Sequence, residues 1–132
     1  MRLARRPLAA AALVVLLAGP LAACNRGTVP SGKAFCDRVG ARLADLKGPV
    51  TDAATAKRSV QAYRDLQAVA PAPVRDAWKT VTSLVESAAA LDLTSTEQQS
   101  RFAEQALAAS SQVKTVTDYT RDTCGLDLNA AG

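Results

Sequence analysis

The chain contains no histidine in its 132 residues, and this absence excludes several kinds of chemistry. Without an imidazole there is no histidine general base, no serine–histidine nucleophile and no histidine metal ligand. The strongest remaining acidic pair is Asp118 and Asp122, which lie one helical turn apart. Lys114 and Arg121 flank them, so we interpret the pair as part of a charged outer face rather than an acid–base or metal site. The sequence therefore predicts a protein that is not an enzyme and holds no metal.

Aromatic residues are also scarce, with one Trp, two Tyr and two Phe in the whole chain. All five lie on apolar helical stripes, which is typical of core residues: Phe35, Tyr63, Trp78, Phe102 and Tyr119. A groove in which Trp78 stacks on a ligand or docks a partner is the alternative that we retain. Alanine on the inner helix faces, for example Ala106 and Ala109, leaves little room for haem or flavin. We therefore expect no cofactor.

The chain after residue 23 also lacks a clear excess of basic charge, although the whole chain has a formal net charge of +4. Three of the 16 Lys and Arg residues lie within the first 23 residues, whereas all 12 Asp and Glu residues follow them. Removal of that leader leaves 13 basic and 12 acidic residues, a formal net charge of +1. The sequence therefore does not predict a nucleic-acid-binding surface.

The leader itself has the three parts of an export signal. Arg2, Arg5 and Arg6 are followed by an apolar stretch over residues 8–18 and then by small residues. A retained transmembrane anchor is the alternative, but the apolar stretch is shorter than the ~20 residues that span a bilayer. The adjacent arginines leave the twin-arginine export route open beside the general one.

The segment Leu21-Ala22-Ala23-Cys24 resembles the lipobox of bacterial lipoproteins. This resemblance implies removal of residues 1–23 as a signal peptide and diacylglyceryl modification of Cys24. Two acyl chains hold a protein stably on a membrane. Residues 24–32 contain Gly, Pro and Ser without apolar periodicity, so we expect a flexible tether that reaches at most ~28 Å. The predicted location is the extracytoplasmic face of the cell membrane.

Two cysteines remain after the tether, Cys36 and Cys124, and an exported protein meets oxidising conditions. The pair therefore predicts one structural disulfide bond. A redox-active pair is the alternative, although the two residues are far apart in the sequence and do not form a CxxC motif.

Residues 33–128 are predicted to form one all-α domain, followed by a disordered C terminus at 129–132. No stretch shows the alternation of a strand, and breaks at Gly48-Pro49 and Pro71-Ala72-Pro73 separate apolar periodic segments. We expect helices over 31–47, 52–69, 73–91 and 94–124, with caps at Thr51 or Asp52, a capping box of Thr94 and Glu97, and a left-handed end at Gly125.

Short connections between four amphipathic helices favour an up-down four-helix bundle. The predicted inward residues include Phe35, Val39, Leu43, Leu46, Val60, Tyr63, Leu66, Val69, Val74, Trp78, Val81, Leu84, Val85, Ala88, Leu91, Phe102, Val113, Val116 and Tyr119. In such a bundle Cys36 and Cys124 lie at the same end, in agreement with a disulfide. The fourth segment is about 30 residues long, so we expect an irregularity near residues 94–100.

The sequence resembles the small secreted helical lipoproteins of actinobacteria in four features. These are the lipobox, Phe35-Cys36, an Ala-Pro turn before Trp78, and Cys124-Gly125. The resemblance implies a disulfide-linked helical fold in the cell envelope, and it assigns no catalytic residue. We expect a non-catalytic interaction or structural module with an envelope protein as its partner. The alternative is a carrier or sensor of a lipid or small apolar ligand, with a cavity beneath Trp78.

Overall fold

The computed structural model describes residues 32–130, and this part of the chain contains helices and no strand. The helices are α1 (Gly32–Lys47), α2 (Ala53–Val69), α3 (Ala72–Ala89), α4 (Thr96–Ala108) and α5 (Ser110–Cys124). The all-α prediction is confirmed, but the described residues form five helices rather than four. The predicted signal peptide, the lipid attachment at Cys24 and the tether up to residue 31 lie outside the described residues, and Gly32 begins α1.

Most helix ends lie where the sequence places them. Asp52 caps α2 because its side chain accepts the backbone N–H of Thr55 at 2.7 Å, and the Thr55 hydroxyl accepts the N–H of Asp52 at 3.0 Å. Helix α3 begins directly after Pro71, with Pro73 in its first turn. Gly125 ends α5 in the left-handed conformation, with a φ of 67°. These capping predictions are confirmed.

The start of α4 differs from the prediction by one residue. Ser95 is its cap, since the Ser95 hydroxyl accepts the N–H of Gln98 at 3.3 Å. Thr94 is not the cap, so the predicted capping box of Thr94 and Glu97 does not form. The Thr94 N–H and hydroxyl instead donate to the carboxylate of Asp92, at 2.9 and 2.7 Å, in the turn before the helix.

The predicted fourth helix is divided at Ala109, which is 5% exposed and has a ψ of −2°. A straight helix over residues 94–124 would be ~45 Å long, about twice the length of α1. With the chain divided at this point, α5 packs between α1 and α3, whereas α4 packs on α3 and α5. The irregularity expected near residues 94–100 is therefore misplaced, because α4 is helical from Thr96 and the chain breaks instead at Ala109.

One core lies between α1, α2, α3 and α5, since α1 and α3 each contact both α2 and α5. Its buried apolar residues are Phe35, Val39, Leu66, Ala70, Val74, Trp78, Val81 and Val116. Three buried threonines also lie here, and each hydroxyl donates to the carbonyl four residues earlier at 2.8–2.9 Å: Thr82, Thr117 and Thr120. The polar groups in this core are therefore satisfied.

Cys36 and Cys124 form the predicted disulfide bond, with their Cα atoms 5.2 Å apart. The bond joins the fifth residue of α1 to the last residue of α5. After α5 the chain packs Leu126 and Leu128 against the core. The backbone N–H groups of Asn129 and Ala130, the two described residues of the predicted disordered C terminus, donate to the Asp127 carboxylate.

Candidate functional site

Trp78, the ligand or interface residue suggested by the sequence, is completely buried. Its indole N–H donates to the carbonyl oxygen of Tyr63 at 2.9 Å. The Phe35 ring meets it edge-on, with centroids 5.4 Å apart, and the Tyr63 ring stacks on it at 5.8 Å. Trp78 therefore offers no exposed face for ligand stacking, and it links α1, α2 and α3 in the core.

Buried residues are concentrated towards the disulfide. No residue of α1 after Val39 is buried, and none of α3 after Thr82 is buried. We call the region that contains the disulfide, Phe35 and Trp78 the disulfide end. The opposite region, formed by the C-terminal halves of α1 and α3, the first turns of α2 and the 48–52 loop, is called the open end.

The open end contains apolar side chains that the sequence pattern places inside the fold. Leu46 and Val85 are only partly buried, and Val50 is 61% exposed. Two of the predicted inward residues are exposed, Ala88 and Val113, so these two predictions are wrong. The helices have the expected apolar faces here, but neighbouring elements cover them only in part.

A groove of about 350 Å³ lies at the open end and is called the end groove. It is lined by Leu46, Gly48, Val50, Ala56, Ser59, Tyr63, Val85, Ala88 and Ala89. Seven of these nine residues are apolar or glycine, so the end groove has an apolar wall. It is the principal candidate site, because it combines an opening with a lining that water solvates poorly.

Gly48 shapes the mouth of the end groove. A Cβ atom on Gly48 would lie 2.5 Å from the carbonyl oxygen of Ala44, closer than any side chain can approach. The glycine therefore allows the chain to leave α1 tightly, and Val50, two residues later, lines the groove.

Tyr63 connects the end groove to the core. One face of its ring stacks on buried Trp78, while the residue also lines the groove. Burial raises the pKa of the Tyr63 hydroxyl because a phenolate would lose its hydration there. The inner wall of the groove is consequently uncharged at neutral pH. Trp78 itself does not line the end groove, so this groove is not the cavity predicted beneath Trp78.

The carboxylates around the open end all have partners. Asp45 lies 3.6 Å from Arg42 and 3.9 Å from Arg58, and Glu86 lies 2.6 Å from Arg64. The remaining two carboxylates, Asp52 and Asp92, lie in the turns before α2 and α4. The pKa of Asp52 is lowered mainly by a hydrogen bond from the Thr55 backbone. The pKa of Asp92 is lowered mainly by a hydrogen bond from the Thr94 side chain.

Two lysines near the end groove have no carboxylate within ion-pair distance in the described part of the chain. Lys47 stands between the groove residues Leu46 and Gly48, and Lys57 directly follows Ala56. No ion pair within 4.0 Å joins either lysine to another residue between 32 and 130. Within residues 32–130, ion pairs therefore leave the charges of Lys47 and Lys57 uncompensated, whereas the carboxylates of Asp52 and Asp92 meet hydrogen bonds rather than ion pairs.

A second groove, of about 320 Å³, separates α3 from α4. Its lining is largely neutral and polar, with Thr80, Ser83, Ser87, Gln105 and Gln112 among its residues. Helix α4 has no buried residue, and Phe102 and Ala106 on its inner side are only partly covered. This surface lacks both charge and a continuous apolar wall, so it is a weaker candidate than the end groove.

The acidic pair on α5 takes part in local ion pairs. Asp118 pairs with Lys114 and, at 2.9 Å, with Arg121, and Asp122 lies 3.0 Å from Arg121. The Lys114 hydrogen bond is the main cause that lowers the pKa of Asp118. Within residues 32–130, no three His, Cys, Asp or Glu side chains are grouped so that they would hold a metal ion.

None of the helices in the described region is both long and apolar enough to cross a membrane. In comparisons with protein-family models, curated proteins and solved structures, no match to the chain was found. The candidate site is therefore defined by the geometry of this chain alone.

Proposed function

We propose that this protein is a non-catalytic interaction module, anchored to the extracytoplasmic face of the cell membrane by a diacylglyceryl group on Cys24. The observation that carries the proposal is the contrast between the packed disulfide end and the open end. An apolar region that the fold leaves uncovered is typical of a binding surface. The lipobox supports the anchor, and the likeness to small secreted helical lipoproteins of actinobacteria supports the envelope location.

The position of the two ends is consistent with capture of a partner away from the membrane. In the up-down arrangement that we propose for α1, α2, α3 and α5, the tether enters at the disulfide end. Helix α1 then spans about 22 Å to the open end. A lipid-anchored protein with this geometry presents its open end to the envelope space. The partner in this proposal is an envelope protein.

The absence of catalytic groups supports a binding role. The sequence has no histidine, and the acidic residues on α5 lie on the surface in ion pairs with Lys114 and Arg121. Cys36 and Cys124 are bonded to each other, so neither provides a free thiol. Neither the acidic residues on α5 nor the two cysteines therefore provide a group that is free to act on a substrate.

Lipid anchoring is tested by metabolic labelling with an alkyne fatty acid in a host that processes lipoproteins. We expect label on the wild-type chain and no label on Cys24→Ala. The matched control is Cys36→Ala, which removes a cysteine from the domain and keeps the label. Equal labelling of Cys24→Ala would contradict the anchor.

The binding surface is tested by placing a photo-cross-linking amino acid at Val50, at the open end, or at Asp76, an exposed position at the disulfide end. We expect a discrete cross-linked product in intact cells from position 50 and none from position 76. Identical patterns from both positions would argue against a specific partner at the open end.

A second function is favoured by one observation, the apolar lining of the end groove. In this case the protein carries or senses a lipid or a small apolar ligand. Native mass spectrometry of residues 25–132 tests it directly. A mass excess that disappears on unfolding supports a carrier, whereas a bare oxidised chain favours the interaction module.

A further inference from the structure

The end groove has an apolar interior, and Lys47 and Lys57 adjoin its lining residues in the sequence. Only two polar side chains, Ser59 and Tyr63, lie among its lining residues, and the Tyr63 hydroxyl stays neutral at physiological pH. The volume of about 350 Å³ lies near the lower limit of small-molecule sites. A site of this size accommodates one alkyl chain rather than the two chains of a bilayer phospholipid.

The charge of the surrounding helices indicates the head group. Residues 32–89, which supply every wall of the end groove, contain nine Lys and Arg against six Asp and Glu. Residues 90–130 contain three basic and six acidic residues. Lys47 and Lys57, neither of which has a carboxylate partner among residues 32–130, each adjoin a groove residue in the sequence. An anionic group at the mouth of the groove would meet a complementary charge.

We infer that the end groove binds a single-chain amphiphile with an anionic head group. Its alkyl chain lies against Leu46, Val85 and Tyr63, and its head group lies near Lys47 and Lys57. Carboxylate and phosphate head groups share this chemistry. The inference rests on the second proposed function, the carrier, and names its ligand class. It does not depend on the capture of an envelope protein.

The shape of the open end explains why binding would be favourable. Val50 is 61% exposed at the mouth, and Val85 and Leu46 are only partly covered, so the free protein leaves apolar surface in water. An alkyl chain in the groove removes this surface and its own surface from water together. Affinity should therefore grow with chain length until the groove is full.

The test uses the oxidised chain from residue 25 to 132. All buried residues of the described structure lie between Phe35 and Thr120, so this chain includes that entire core. Titration calorimetry measures binding of octanoate, decanoate and dodecanoate, each below its micelle-forming concentration. We expect the dissociation constant to fall about fourfold for each added methylene. An affinity independent of chain length would overturn the inference.

Head-group preference is measured with dodecyl phosphate and dodecyltrimethylammonium beside dodecanoate. We expect both anionic probes to bind more tightly than the cationic one, and the tighter of the two identifies the head group. Replacing both lysines, Lys47→Gln with Lys57→Gln, should weaken anionic binding about fivefold and leave the cationic probe unaffected or tighter. Equal affinity for all three probes would overturn the anionic assignment.

The location of the site is tested by filling the groove. Ala88→Leu adds an apolar side chain to the lining and should weaken dodecanoate binding at least tenfold. The matched control is Ala103→Leu, the same change at an exposed position of α4 outside the groove. Unchanged binding to a folded Ala88→Leu variant would overturn the assignment. If no amphiphile binds while cross-linking at Val50 persists, this inference fails and the interaction module stands.

Discussion

The disulfide end and the open end of this molecule are built from the same helices but differ in how they are packed. At the disulfide end, Phe35, Val74 and Trp78 are completely buried. At the open end, Leu46 and Val85 are partly exposed, although they continue the same apolar faces of α1 and α3. The comparison shows that a continuous apolar stripe does not ensure a continuous core.

Side-chain size accounts for the difference. At the disulfide end, the rings of Phe35, Trp78 and Tyr119 contact one another in series and fill the space between α1, α3 and α5. At the open end, the positions that line the space between the helices include Ala56, Ala88 and Ala89. Protein interiors are close-packed only where side chains supply the volume. The alanines leave the space that forms the end groove.

Removal of the disulfide should have the largest effect, and it should act on one end. The bond closes a sequence separation of 88 residues. On the chain-entropy model, a double substitution of Cys36→Ala and Cys124→Ala lowers the free energy of unfolding by about 4–5 kcal/mol. Urea denaturation measures the loss. Native-state hydrogen exchange should show a greater loss of protection near Phe35 than near Val85. An equal loss at both positions would mean that the two ends are equally packed.

A matched pair of valine substitutions on α3 compares the two ends directly. Val74 is completely buried, so Val74→Ala should lower the free energy of unfolding by about 2–3 kcal/mol. Val85 lines the end groove and is partly exposed, so Val85→Ala should cost less than about 1 kcal/mol. Chemical denaturation of both variants checks this difference, and equal costs would show that the open end is closed in solution.

Larger side chains should have opposite consequences at the two ends. Ala62 is completely buried on α2, so Ala62→Leu overpacks the core and should destabilise the protein by about 1–3 kcal/mol. Ala88 is exposed beside the end groove, so Ala88→Leu should change the stability by no more than about 0.5 kcal/mol. Thermal unfolding of the two variants distinguishes these outcomes. A large cost at Ala88 would mean that the groove has no room for a side chain.

The sequence predicted the helix ends and the disulfide bond, for identifiable physical reasons. Local hydrogen bonding determines the cap at Asp52 and the helix end at Gly125, and both are visible in a few neighbouring residues. The pairing of Cys36 with Cys124 followed because only two cysteines lie in the domain and export favours oxidation. The helix bounds follow from the proline and glycine breaks.

The packing of the open end was not predictable in the same way. Periodicity indicates which face of a helix is apolar, but not whether the facing helices have enough volume to cover it. Val113 and Ala88 were placed inside the fold on periodicity alone, and both are exposed. The break at Ala109 also lacks a local signal, because neither glycine nor proline stands there. It depends on how α4 and α5 pack on the rest of the molecule.

The smallest predicted effect concerns Tyr63, which lies between the two ends. Its pKa is raised in the folded protein above the ordinary value of 10.0 because burial disfavours the phenolate. The folded state therefore retains the proton at a pH where the unfolded chain has lost it. This contribution to stability is complete below the ordinary pKa and is lost as the pH rises through the higher folded pKa.

Urea denaturation from neutral pH into the alkaline range should show this loss in the wild-type protein, and Tyr63→Phe should lose less stability over the same range. Subtracting the stability loss of Tyr63→Phe from that of the wild type cancels the contribution of the other titrating groups, and no free thiol titrates in residues 25–132. The size of this difference in stability loss also reports on the end groove. An alkyl chain bound there would remove water from the Tyr63 ring and enlarge the difference, whereas a ligand bound elsewhere would leave it unchanged. The same measurement therefore distinguishes an end groove that is filled from one that remains open to water.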